Sequence, residues 1–134
     1  MEAADYAVKM AERYGSEVAV VHVIHMDQSL QLLGIYRLYG PDPIKKKMED
    51  ARAEAQKWFA EISTKAEKRK VHVKTDVIEF PMSVVATIVE YSVSENADLI
   101  VIGTRGRSGI SKMLLGSVAS GVVTYAPCPV VVIK

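Results

Sequence analysis

Apolar residues at Ala3, Ala7, Met10 and Tyr14, with Ala4, Val8 and Ala11 beside them, follow the spacing of one helix face, and Gly15 supplies a stop. The run Val18 to Ile24 is β-branched with little alternation, which predicts a parallel strand covered on both faces. From His25 to Pro43 the pattern breaks up. Gly34, Gly40, Pro41 and Pro43 punctuate a segment rich in Leu and Tyr, and its Met26 to Tyr39 part reads as an apolar loop, either a flap over a ligand or an interface patch. A long helix is predicted from about 44 to 68, with Met48, Ala51, Ala55, Trp58, Ile62 and Ala66 on one stripe. Val71, Val73, Thr75 and Val77 then alternate with His72, Lys74 and Asp76, a strand with one polar face near a sheet edge. Val84, Val85, Ile88, Val89 and Tyr91 form a further amphipathic helix ending around Asn96. After it Leu99 to Ile102 reads as a second buried strand. Gly103 to Leu115 is a glycine- and arginine-containing connection, Gly116-Ser117 opens a helix through about Tyr125, and Pro129 to Ile133 forms a last strand.

Strands alternating with helices at this spacing predict an α/β fold, a doubly wound parallel sheet with right-handed crossovers, as a single domain over residues 1–134. In such sheets ligands sit beyond the carboxyl ends of the strands. The loop after Ile102 is therefore the first place to look for function.

The composition narrows the partners. Of 134 residues 49% are hydrophobic and 25% charged, and 17 basic against 16 acidic side chains leave a net charge of +1. That balance is of the ordinary globular kind and gives no hint of nucleic acid or an anionic membrane as partner. The single cysteine, Cys128, excludes an intrachain disulfide; with no apolar run of signal-peptide type at the start, the expected location is the cytoplasm. Cys128 has no histidine or basic neighbour in sequence and reads as a packing residue. His22 lies inside an apolar strand and reads as structural, and no paired cysteine or carboxylate cluster suggests zinc. Lys45-Lys46-Lys47 reads as a solvated helix face.

The segment Gly103-Thr104-Arg105-Gly106-Arg107-Ser108-Gly109-Ile110-Ser111-Lys112-Met113-Leu114-Leu115-Gly116-Ser117 spaces its glycines as Gly, two residues, Gly, nine residues, Gly-Ser, between a strand and a helix. Glycines allow positive φ and let backbone N–H groups approach an anion with no Cβ in the way. The N-terminus of the Ser117 helix offers unpaired N–H groups and the positive end of a dipole. Ser117 can add a hydroxyl donor, and Arg105, Arg107 and Ser108 add charge or hydrogen bonds. The pattern is neither the Walker nor the Rossmann dinucleotide fingerprint. On loop geometry alone, glycines that merely turn the chain remain the alternative.

The stretch Ala97 to Lys134, with Ala-Asp-Leu-Ile-Val-Ile-Gly-Thr-Arg-Gly, Leu-Leu-Gly-Ser-Val-Ala and Ala-Pro-Cys-Pro-Val-Val-Val-Ile, resembles the C-terminal signature of universal stress proteins, and its glycine spacing matches the ATP-binding branch. Tyr-Ala-Val-Lys-Met-Ala-Glu-Arg-Tyr-Gly-Ser-Glu-Val and Val-Val-His-Val-Ile resemble that family's first helix and second strand, so the similarity spans nearly the whole chain. The resemblance implies a Rossmann-like, adenine nucleotide alpha hydrolase-like domain of three α/β/α layers. It implies that Gly103, Gly106, Gly116 and Ser117 line the phosphates of ATP, bound with or without Mg²⁺, with Ile102 and Val118 packing nearby and Val23 against the adenine. It also implies a homodimer through the strand Pro129 to Ile133 and a role in stress response. Family members begin with a strand that carries an adenine-binding aspartate. This chain opens at the first helix, so the expectation is a sheet lacking that strand, with ladder groups that need partners.

The leading expectation is a nucleotide-binding regulatory protein whose bound state a protein partner reads. The alternatives are an interaction module of the same fold that binds no nucleotide, or a slow ATPase. No catalytic residue is assigned, because the loop from Thr104 to Leu115 holds neither a histidine nor a carboxylate.

Overall fold

The computed structural model of the protein describes residues 1–25, 30–79, 81–104 and 115–134, and the side chains of all of these except residues 30–32. The elements in chain order are α1 (Glu2–Tyr14), β1 (Val18–Ile24), α2 (Leu30–Tyr39), α3 (Asp42–Lys68), β2 (Val73–Glu79), α4 (Val84–Ser94), β3 (Ile100–Gly103), α5 (Ser117–Tyr125) and β4 (Val130–Ile133).

Three helices stop in the same way. Each is followed by a residue in the left-handed region: Gly15 at φ 65° after α1, Lys70 at φ 56° after α3 and Asn96 at φ 52° after α4. That turn returns a backbone N–H to the last helical turn, as in Ser16 to Ala11, Val71 to Ala66 and Ala97 to Ser92, all near 3.0 Å. Only the first of the three stops has a glycine to mark it in the sequence.

β1 and β2 pair in parallel from Val18 opposite Val73 to Ile24 opposite Glu79, and β3 and β4 pair in parallel from Ile100 opposite Val130 to Gly103 opposite Ile133. Helices and parallel strands alternate, as a Rossmann-like α/β domain requires. Among the described residues the strands form two two-stranded sheets, β1-β2 and β3-β4, with no ladder joining them.

The tightest core lies where the helices α1 and α3 meet the first residues of β1 and β2. Val8, Ala11, Ile62, Ala66 and Val71 are buried together, and Ala4, Val18, Val20 and Val73 pack against them. Two ion pairs, Lys65 to Asp5 at 2.9 Å and Arg69 to Glu12 at 2.5 Å, cross between α3 and α1 above that core. The charged groove lined by Asp5, Lys9, Glu12, Lys65, Lys68 and Arg69 is the outer side of this helix seam, remote from the carboxyl ends of the strands. α4 and α5 pack against each other closely at Gly121, where an added Cβ would stand 2.6 Å from Val85 Cγ2.

One expectation needs correction, at residues 30–39. The glycine and prolines suggested a loop, but Leu30–Tyr39 is a helix packed on α3. Gly34 costs a helix interior roughly 1 kcal/mol, and docking on the adjacent helix offsets it. Gly40, at φ 74°, and Pro41 make the connection to α3.

Candidate functional site

The carboxyl end of β3 and the N-terminus of α5 meet. Beyond the last ladder pair, Thr104 donates its N–H to Ile133 O at 2.9 Å, which holds the chain at the end of the β3-β4 sheet. Gly116 approaches the same residue, and a Cβ built on it would lie 3.2 Å from Thr104 O. Gly116 thus favours backbone proximity: with no side chain, it lets the two ends of the glycine loop approach without displacing Thr104 O. It is also the N-cap of α5, with φ −61° and ψ 158°, and no side chain caps the helix there.

The first N–H groups of any helix have no intrahelical acceptor. The contrast with α4 is informative. There Ser83 accepts a hydrogen bond from Ala86 N at 3.1 Å and so satisfies one of those donors. In α5 the ladder begins with Ser120 N to Gly116 O at 2.9 Å, which leaves the N–H groups of the first turn, around Ser117 and Val118, without a described side-chain partner. Ser117 is exposed and Val118 half-buried. An anion placed here would take up donors that have no partner among the described residues and would face the positive end of the helix dipole. These residues suit a phosphate group. For a metal ion the described residues contain no group of three or more His, Cys, Asp and Glu.

Gly103, Gly116, Ser117 and Val118 therefore come together, with Ile102 one residue inside β3, opposite Val132. Val23 stands at the corresponding end of β1, opposite Ile78, on the other sheet. Arg105, Gly106, Arg107 and Ser108 lie outside the described residues, as do 26–29 of the apolar segment.

Sequence reasoning passed over two features at this end of the strands. Thr104 stood inside the loop, but its role as the backbone stop against which Gly116 packs comes from a separation in space that spacing does not reveal. Arg52 and Glu79, 27 residues apart, form a two-pronged ion pair between α3 and the carboxyl end of β2, with Arg52 Nη2 2.7 Å from Glu79 Oε2 and a second contact from Arg52 Nε to Oε1. The hydrogen bond from Arg52 holds the Glu79 carboxyl below its ordinary pKa, and the same bond raises that of Arg52. Further back, Tyr91 of α4 donates to Asp76 Oδ2 at 2.6 Å; burial first, and then the neighbouring carboxylate, pushes the phenol well above its usual range. The Tyr91 hydroxyl thus ties α4 to β2.

Known proteins share this fold. The sequence profile of the Universal stress protein family matches residues 1–134. Universal stress protein MJ0531 of Methanocaldococcus jannaschii is 34% identical over 137 residues, which take in 100% of this chain and 74% of that protein. Among solved structures, universal stress protein UspA from Lactobacillus plantarum superposes with a TM-score of 0.78 at 25% identity, covering 99% of this chain and 88% of that one. The universal stress protein from Archaeoglobus fulgidus in complex with dAMP superposes with a TM-score of 0.62 at 25% identity, covering 98% of this chain and 85% of that one. With the whole chain matched by the family profile, and a relative above 30% identity covering all of it, the protein belongs to the universal stress protein family.

Proposed function

We propose that the protein is a single-domain regulatory binder of an adenine nucleotide, ATP in the first instance, whose phosphates rest on the N-terminus of α5. The observation that carries this is the first turn at Gly116-Ser117, without a side-chain cap among the described residues and set against the end of β3 with no Cβ in the way. The dAMP complex of the Archaeoglobus relative supports the ligand class. Ile102, Gly103, Arg105, Gly106, Arg107, Ser108, Gly116, Ser117 and Val118 would surround the phosphates, and Val23 would meet the base. Bound ATP, with or without Mg²⁺, is held rather than turned over at an appreciable rate, in the cytoplasm, and acts as a signal in a stress response.

The same proposal takes the fold as three layers, with α1 and α3 on one side of the strands and α4 and α5 on the other. Its support is that α1 packs on α3 and α4 on α5, while the two strand pairs share no ladder among the described residues. A homodimer would form through β4, whose apolar residues Val130 to Ile133 are half-buried and pair with β3 alone among the described strands. The divided ladder also favours the second reading, an interaction module that has lost its nucleotide, because the base would sit where the two sheets fail to join.

Substitutions at Ser117 separate the two. Ser117→Asp places a carboxylate in the first turn of α5, which favours the helix by about 0.3–1 kcal/mol through its dipole but repels phosphate. The expected result is unchanged or raised thermal stability with ATP affinity lost, and Ser117→Ala should weaken binding by roughly 1 kcal/mol, the value of one ordinary hydrogen bond. Full affinity in Ser117→Asp would remove the site from α5. Gly116→Val is the poorer probe, since its side chain would press on Thr104 O and disturb the fold together with the site.

A further inference from the structure

α2 carries a surface that the nucleotide site does not use. It packs on α3, yet Leu33 is 60% exposed, Tyr36 55%, Leu38 77% and Tyr39 72%. Helices with so few polar residues are ordinarily covered on most sides. Two connecting residues, Gly40 and Pro41, then bring the end of α2 against the start of α3, where Lys45, Lys46 and Lys47 are all exposed. Between residues 30 and 50 there are four cations, Arg37 and the three lysines, against three anions, Asp42, Glu49 and Asp50, and the three lysines stand together.

We propose that the α2–α3 corner is a peripheral docking surface for an anionic lipid bilayer. Leu33, Leu38 and the two tyrosine rings enter the headgroup boundary, while Arg37 and Lys45 to Lys47 meet lipid phosphates. Tyrosine suits that boundary, with an apolar ring and a hydroxyl that stays wet. Exposed apolar side chains next to a basic cluster are the pattern of surface-lying helices, whose attachment scales with apolar area and with attraction to anionic lipid. No helix among the described residues is long and apolar enough to cross a membrane, so attachment is at the surface. A second copy of the chain fits less well, because symmetric pairing of this corner would bring the same four cations against themselves. Glu49 and Asp50, which follow the lysines, moderate the field and make the attachment weak and reversible.

The test is co-sedimentation of the full chain with vesicles of phosphatidylcholine alone and of phosphatidylcholine mixed with phosphatidylglycerol. Binding should appear on the mixed vesicles and fade at about 0.5 M NaCl, where the screening length is only a few ångströms. Each lysine of the triplet contributes at most about fivefold to partitioning, so Lys45→Gln/Lys46→Gln/Lys47→Gln should lower it by one to two orders of magnitude, about the product of three such factors. Leu38→Ser/Tyr39→Ser should lower it on mixed vesicles at any salt. Both variants change exposed positions, and circular dichroism verifies their fold. Failure of the folded protein to bind the mixed vesicles overturns the proposal. So does self-association, measured by sedimentation velocity, that Leu38→Ser/Tyr39→Ser abolishes while no lipid is bound, since the corner would then be an interface between copies.

Discussion

At Gly121 a single hydrogen atom decides how closely α4 and α5 approach. Alanine is normally the better helix residue by about 1 kcal/mol, so at an open position Gly→Ala would stabilise. Here the added methyl would stand 2.6 Å from Val85 Cγ2 and 3.0 Å from Cγ1. Gly121→Ala should therefore lower stability, by about 1–3 kcal/mol as overpacking does, read from the denaturant midpoint. Val85→Ala in the same chain should recover a large part of that loss, because the two residues share one contact. A stabilised single variant would mean that the helices sit further apart than described. None of this was legible in the sequence, where Gly121 is one small residue in Ser-Val-Ala-Ser-Gly-Val-Val-Thr-Tyr. Gly15, Gly103 and Gly116 were easier to recognise, since each stands at the boundary of an element that periodicity had already marked.

Between elements, long-range polar contacts fix how α3 meets β2 and α1. Arg52 lowers the carboxyl pKa of Glu79, so that between the folded and unfolded values the unfolded chain binds the proton more strongly. The stabilisation is complete above the ordinary glutamate value and is lost as the pH falls through the depressed one. In Glu79→Gln the stability curve should flatten in that acid window and match the parent shape at neutral pH. An unchanged acid limb would show that the pair is broken in solution.

Periodicity located α1 and β1 at their observed bounds and α3, β2, α4, β3, α5 and β4 to within a residue or two. It missed α2 because Gly34 and the flanking Gly40-Pro41 outweigh a short apolar run whose helix depends on packing against α3. The way α3 and α4 stop was hidden for a related reason: Lys70 and Asn96 take the left-handed conformation that sequence rules assign to glycine.

For the molecule as a whole, strand–helix alternation was enough to give the α/β class and the side of the strands on which to look for a ligand. Sheet continuity was not readable, because hydropathy marks a strand as buried without naming its neighbours. β1 and β3 each carry an apolar run of the central kind, yet each pairs on one side only among the described residues. The candidate site has the same mixed legibility. Gly103, Gly116 and Ser117 followed from spacing, whereas the stop at Thr104 and the uncapped first turn of α5 required coordinates.

Nucleotide binding at that turn is the central claim, and calorimetric titration of the nucleotide-free chain with ATP, with and without Mg²⁺, tests it most directly. Saturable one-site binding in the micromolar range is expected, where ligand-stabilised folding is easily seen. A folded sample that takes up no heat and gains no thermal stability at millimolar ATP would contradict it.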